Sequence, residues 1–199
     1  MKIILVGASG DVGQAAFGEL SQRHDVVRVG CKSGEVRADI SDPSSIEAMY
    51  EKVGDFDAVV SAAGDAHFAP LAEQTDVTLK VGLESKVMGQ VNLVLLGLKR
   101  LAGEGSFTLT SGVLDRDPVV AGTGAALANG ALAGFAKSAA IEMPPGVRIN
   151  VVSPGLLDVS EGRYGARFPG HERVPSEQVG RAYAKSVERA INGQVVIVE

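Results

Sequence analysis

Cysteine is almost missing from these 199 residues; Cys31 is the only one. One thiol excludes an internal disulfide and fits a reducing compartment. A basic surplus is missing as well. Nineteen lysines and arginines stand against 24 aspartates and glutamates, for a net charge of −5 and a pI near 5.3. That balance argues against a general nucleic-acid binder, which would carry excess positive charge. Long apolar runs are absent too. Ile3–Val6 is too short for the core of a signal peptide, and the longest run, Val91–Leu98, is broken by Asn92 and Gly97. The three histidines, His24, His67 and His171, are scattered, and no metal-ligand spacing appears. The expectation is a soluble, cytoplasmic protein with no metal, nucleic-acid or membrane partner.

What the chain has is alternation. Ile3–Val6, Val26–Val29, Phe56–Val60, Phe107–Thr110, Ile149–Val152 and Val195–Val198 are short, apolar and rich in β-branched residues, and Val36–Ile40 is a weaker seventh. Between them lie helical periods. Ser41 or Asp42 can cap a helix with Pro43 in its first turn and Ile46, Met49, Tyr50 and Val53 on one face. A long helix carries Leu83, Val87, Val91, Val94, Leu98 and Leu101 along one stripe, and a last helix opens at Ser176. Strands apolar along their whole length, alternating with helices, predict a parallel sheet covered on both faces. The expected fold is a doubly wound α/β single domain over residues 1–199, with a seven-stranded, mainly parallel sheet.

The glycines of "KIILVGASGDVG" follow the first strand at once. In this architecture the first strand-to-helix turn is where a dinucleotide diphosphate meets the amides and dipole of a helix N-terminus. Gly7 permits the tight turn, Gly10 the close approach, and Gly13 the packing of the helix. Selectivity is written at the end of the second strand, where an acid favours NAD and basic or small polar groups admit a 2′-phosphate. The chain has Arg28, Gly30, Cys31, Lys32 and Ser33, with no acid before Glu35, so the expected cofactor is NADP rather than NAD.

By these segments the sequence resembles the short-chain dehydrogenase/reductase family along nearly its whole length. "GASGDVG", including Ser9, Asp11 and Val12, is similar to the nucleotide loop of the family's atypical branches. "ADI" resembles the segment whose aspartate, here Asp39 beside Ile40, holds the adenine amino group. "SAAG", Ser61, Ala62, Ala63 and Gly64, stands where the family borders the adenine ribose. "LTSG" places Thr110 beside Ser111, which occupies the position of the catalytic serine. "RINVVSPG" resembles the sixth strand and the turn that borders the nicotinamide, here Pro154, Gly155 and Leu156. The resemblance implies a Rossmann fold, a nicotinamide dinucleotide, a carbonyl or alcohol substrate, and a homodimer or homotetramer formed through Leu83–Leu101 and Gly124–Ile141.

The chemistry departs from the family. A tyrosine phenol with a pKa of about 10 serves as its proton carrier only beside a cation, which the family supplies as a lysine four residues on. Here Ala125 stands in the tyrosine's place and Asn129 in the lysine's. Nor is the pair relocated: Tyr50, Tyr164 and Tyr183 precede Gly54, Phe168 and Val187 at that spacing. Asn129 can still bond a ribose hydroxyl. Lys86 stands where the family places a pocket-facing asparagine, and its register allows either the pocket or the solvated face. Ser111 would polarise a substrate oxygen while Lys86 or water manages the proton. Tyr164 and His67 are further candidates. The segment Asp158–Pro175 falls where the family carries its substrate loop, and its Arg163, Arg167 and Arg173 balance Asp158, Glu161 and Glu172, so no substrate charge follows. Three functions stand open: an NADP-dependent oxidoreductase with a non-standard active site, a nucleotide sensor that has lost its chemistry, and a non-redox enzyme using the same pocket.

Overall fold

The computed structural model describes residues 1–101 and 103–199. The first strand, β1 (Lys2–Val6), shows how the layers arise. Successive side chains point to opposite faces. Ile4 and Val6 enter one apolar core, while Ile3 and Leu5 enter the other. No face is left for water, as the unbroken apolar run predicted.

The chain continues through α1 (Asp11–Leu20), β2 (Asp25–Gly30), β3 (Val36–Arg37), α2 (Pro43–Val53) and β4 (Ala58–Ser61). It then runs through α3 (Asp76–Gly82), α4 (Gly89–Gly97), β5 (Gly105–Thr110), α5 (Thr123–Ala139) and β6 (Val147–Pro154). The short β7 (Leu156–Leu157), α6 (Glu161–Tyr164) and β8 (Arg173–Val174) precede α7 (Ser176–Glu188) and β9 (Val195–Val198). Seven strands form one sheet in the order β3-β2-β1-β4-β5-β6-β9, and every pairing is parallel, so "mainly parallel" understates it. The chain builds outward from β1 to β3, then returns past β1 to β4. That reversal opens a crevice at the carboxyl ends of β1 and β4, where ligands of open α/β sheets bind.

One face is covered by α2, α4 and α5, the other by α1 and α7. The cap of α2 is Asp42, whose side chain accepts from the Ser44 amide at 2.9 Å. Tyr183 of α7 is fully buried, and its hydroxyl lies 2.5 Å from Thr110 Oγ1, which donates at 2.5 Å to the carbonyl of Ser61. This chain of hydroxyls joins α7 to the ends of β4 and β5, directly beneath the crevice.

The expected long helix over Leu83–Leu101 is divided. It begins as α3, widens into a π turn over Leu83–Met88, resumes as α4 and stops at Gly97. Packing is the reason. Gly64 passes so close that a Cβ there would lie 2.5 Å from Lys86 Cα, and one on Gly89 would meet Ile40 at 2.7 Å. Insertions of this kind recur at functional sites. Asp158–Pro175, expected as irregular, contains α6 and β8, and β8 pairs with β7 just before the segment.

Candidate functional site

The turn from β1 into α1 is shaped by what its glycines lack. Gly7 has φ +82°, donates its amide to Val29 at 2.9 Å, and would place a Cβ 2.6 Å from the Ala62 carbonyl. Gly13 faces the same turn: a Cβ would sit 2.1 Å from the Gly7 carbonyl. Gly10 differs, since its absent Cβ would meet only the Gly7 carbonyl, at an ordinary contact distance of 3.7 Å. It caps α1 with no side-chain hydrogen bond, so the first amides of that helix face open space beside exposed Ser9. Helix amides left free in this way favour an anion.

Asp11 opens the helix, but its carboxylate is engaged. Ser160 Oγ donates to it at 2.6 Å and Arg163 lies 3.6 Å away. The loop after β6 is thus tied to the glycine turn. On the far side, Cys31, Lys32 and Ser33 form an exposed turn. Arg28 is withdrawn from it, bonded to Glu35 at 2.9 Å and stacked on Phe17. Lys32 has no bonded partner among the described residues. Asp39 Oδ1 accepts from the Ser41 amide at 2.9 Å, and Ile40 packs inward. None of residues 31–33, 39 or 40 lines the central cavity.

That cavity measures about 420 Å³ and collects residues from every neighbouring strand end. Val12 lines it from α1; Ala62, Ala63 and Gly64 follow β4; Thr110 ends β5 and Ser111 follows it. Pro154, Gly155 and Leu156 close it from the end of β6, while Lys86 and Asn129 form its floor. Ser61 lies just beneath, its Oγ buried without a partner. His67 does not line the cavity, and Tyr164, 38% exposed, does.

The structure settles the two orientations open to Lys86: its side chain turns inward. The Nζ donates to the Ser111 carbonyl at 3.0 Å and to Asn129 Oδ1 at 2.7 Å. Asn129 Nδ2 in turn donates to the Gly112 carbonyl at 3.1 Å. Burial pushes the amine down to about 8, opposed by the weaker influence of Asp115. Ser111 is 3% exposed, and its Oγ has no hydrogen-bond partner. Ala125 offers only a methyl group to the same space. An amine and an asparagine therefore meet where the resemblance led one to expect a lysine and an asparagine, each on the other's helix.

Some lining residues carried no signal in the sequence. Asp65, Phe68 and Phe168 sit in loops without periodicity, and Arg167 is one of three arginines in a charge-balanced segment. Thr110 stands out in the sequence through its neighbours, and the hydroxyl chain it anchors has no local signal.

A reversing parallel sheet, an uncapped glycine turn and a cavity at the strand ends define the dinucleotide-binding Rossmann class. A family model described as Enoyl-(Acyl carrier protein) reductase matches residues 2–195, and the chain belongs to the short-chain dehydrogenase/reductase family. A solved structure of the protein lin1944 from Listeria innocua is 49% identical, with a TM-score of 0.98 and all of each chain covered. A small-chain dehydrogenase in complex with NADPH is 26% identical, with a TM-score of 0.86 over 100% of this chain and 96% of that one. A short chain dehydrogenase from Mycobacterium smegmatis, at 20% identity, TM-score 0.83 and 100% and 91% coverage, shares the fold. No curated protein sequence matches the chain.

Proposed function

We propose that this protein is an NADP-dependent oxidoreductase acting on a carbonyl or alcohol substrate, with Lys86 and Ser111 in place of the family's tyrosine–lysine pair. One observation carries the proposal: a half-buried amine, held by two carbonyl oxygens, lines the cavity next to a serine hydroxyl that has no partner. The NADPH-bound relative supports the choice of cofactor.

The residues present fit a dinucleotide. The free amides after Gly10 suit its diphosphate, and Lys32 and Ser33 stand in the turn suited to a 2′-phosphate. Asp39 is assigned to the adenine, Ser61–Gly64 to the ribose, and Pro154–Leu156 with Asn129 to the nicotinamide end. A bound nicotinamide supplies a hydride to the carbonyl carbon or removes one from the alcohol. Ser111 Oγ donates to the substrate oxygen and orients it. Lys86 delivers the proton to that oxygen. Its ammonium has three N–H donors, two of them committed to Ser111 and Asn129. After proton transfer two N–H groups remain for the same two carbonyls, so the anchor survives both protonation states. Solvent then restores the proton.

The rival is a nucleotide-binding sensor, and one observation favours it: no phenol replaces the one lost at Ala125 within the buried part of the site. Calorimetry with NADPH, followed by a carbonyl panel read by NADPH absorbance, separates the two. Turnover that collapses in Lys86→Ala or Ser111→Ala supports the enzyme. Tight NADPH binding with no turnover on any compound supports the sensor.

The proposal includes a homodimer or homotetramer. Met88 and Leu95 of the π turn and α4, and Leu127 of α5, are exposed, as is Ile141 just beyond. A single mass of one chain by light scattering at micromolar concentration would overturn it. A cytoplasmic location is proposed from the exposed, unpaired Cys31. No helix among the described residues is long and apolar enough to cross a membrane.

A further inference from the structure

The three arginines of the loop after β6 look equivalent in sequence, but the fold uses them differently. Arg163 is drawn to Asp11 at 3.6 Å, and Arg173 pairs with Glu161 at 3.1 Å and with the carbonyl of His171. Arg167 has no carboxylate within ion-pair distance among the described residues, and it lines the cavity. Its guanidinium lies 5.2 Å from the centroid of the Phe68 ring. Stacking fixes the plane of a guanidinium and leaves the N–H groups along its edge free to donate. Two of the loop's acids are engaged, Asp158 accepting from Ser176 Oγ at 2.7 Å and Glu161 holding Arg173, and the third, Glu172, is exposed and does not line the cavity. Among the described residues the one acid on the cavity wall, Asp65, is exposed and follows Gly64, on the side assigned above to the dinucleotide. The cavity that Arg167 and Ser111 both line also carries the apolar side chains of Phe68, Val113, Leu114 and Phe168.

We propose that Arg167 is a specificity-determining residue, and that the substrate is a small carbonyl compound bearing an apolar body and an anionic group such as a carboxylate. The anion meets the stacked guanidinium, the body lies along the aromatic and aliphatic wall, and the reacting oxygen reaches Ser111. This rests on the oxidoreductase proposal only for the identity of the reacting group; the anion site stands on its own geometry.

The test uses benzoylformate and its neutral methyl ester as probes. Each is titrated by calorimetry into the full chain, alone and saturated with NADP+, and turnover of each is followed with NADPH. A charge-assisted, bidentate contact predicts that the carboxylate binds about tenfold or more tighter than the ester. Arg167→Gln removes that preference and Arg167→Lys restores part of it. An ester that binds as well as the acid, an absence of binding by both, a preference that survives Arg167→Gln, or an equal fall for both probes overturns the anion site. The two proposals fail separately. Turnover of neutral carbonyls without a carboxylate preference removes the anion site and spares the oxidoreductase. A preference abolished by Arg167→Gln in a protein that never oxidises NADPH upholds the site and removes the oxidoreductase.

Discussion

The crevice has two sides made of different materials. Its glycine side is backbone: Gly7 and Gly13 are pressed against carbonyls with no room for a methyl group, and Gly10 leaves helix amides bare. Its far side is side chains: Lys86, Asn129 and Ser111 meet from a π turn, a helix and a strand end, and Arg167 arrives from a loop. Backbone geometry of the first kind tolerates almost no substitution but serves any ligand with a diphosphate. Side-chain geometry of the second kind can be exchanged piece by piece, and here it rests on a lysine of the π turn meeting an asparagine of α5. The lesson is that binding and chemistry in this fold are separately mutable, because they rest on different parts of the polymer.

The largest expected effect falls on the chemical side. Lys86→Met should slow carbonyl reduction by roughly 10²- to 10⁴-fold, the usual cost of losing a positioned acid, with NADPH affinity changing far less. In the unaltered protein the reductive rate should fall as pH rises through about 8, where the amine loses its proton; the variant should lose that inflection. A profile still inflecting near 8 in the variant would assign the proton to another group.

Stability gives the same residue a second signature. The folded amine titrates at about 8 against an ordinary 10.5, so the native state binds fewer protons than the unfolded one between those values. Stability from this group is therefore lowest below 8 and rises with pH across that window. Thermal melts at pH 7 and pH 10 should show a relative gain for the parent that Lys86→Met lacks.

The glycine side is probed by a pair. Gly13→Ala forces a methyl group onto the Gly7 carbonyl; overpacking of this kind costs about 1–3 kcal/mol and should lower both the melting temperature and NADPH affinity. Gly10→Ala adds its methyl group at an ordinary contact distance of 3.7 Å from the Gly7 carbonyl, so it should weaken NADPH binding while the melting temperature holds. Equal melting penalties in the two variants would dissolve the distinction. Lys32→Ala is expected to narrow the preference for NADPH over NADH by roughly tenfold, the scale of one charge-assisted contact; equal KM ratios would refute that role. The smallest effect is Tyr183→Phe. Removing one buried hydroxyl from the chain to Thr110 and Ser61 should cost about 1 kcal/mol, visible as a modest shift in urea midpoint.

Much of the fold was legible along the chain. Strand–helix alternation and the glycine turn depend on neighbours a few residues away, and each strand of the main sheet lies where an apolar run foretold it. The divided helix was not legible. Its stripe of Leu83, Val87, Val91 and Val94 is continuous, and only the approach of Gly64 to Lys86 shows where it widens. The loop after β6 was legible as a segment and opaque as a charge distribution.

The sequence by itself determined the layered architecture and the bare helix terminus, since backbone sterics and side-chain alternation act within a few residues of their origin. Tertiary structure alone decided that Lys86 turns inward, that Asp11 is taken up by Ser160, and that Arg167 is the loop arginine left without an acid. Those outcomes join residues 43 and 149 positions apart, and a hydrogen bond or ion pair is chosen by distance in space, which local chemistry does not carry.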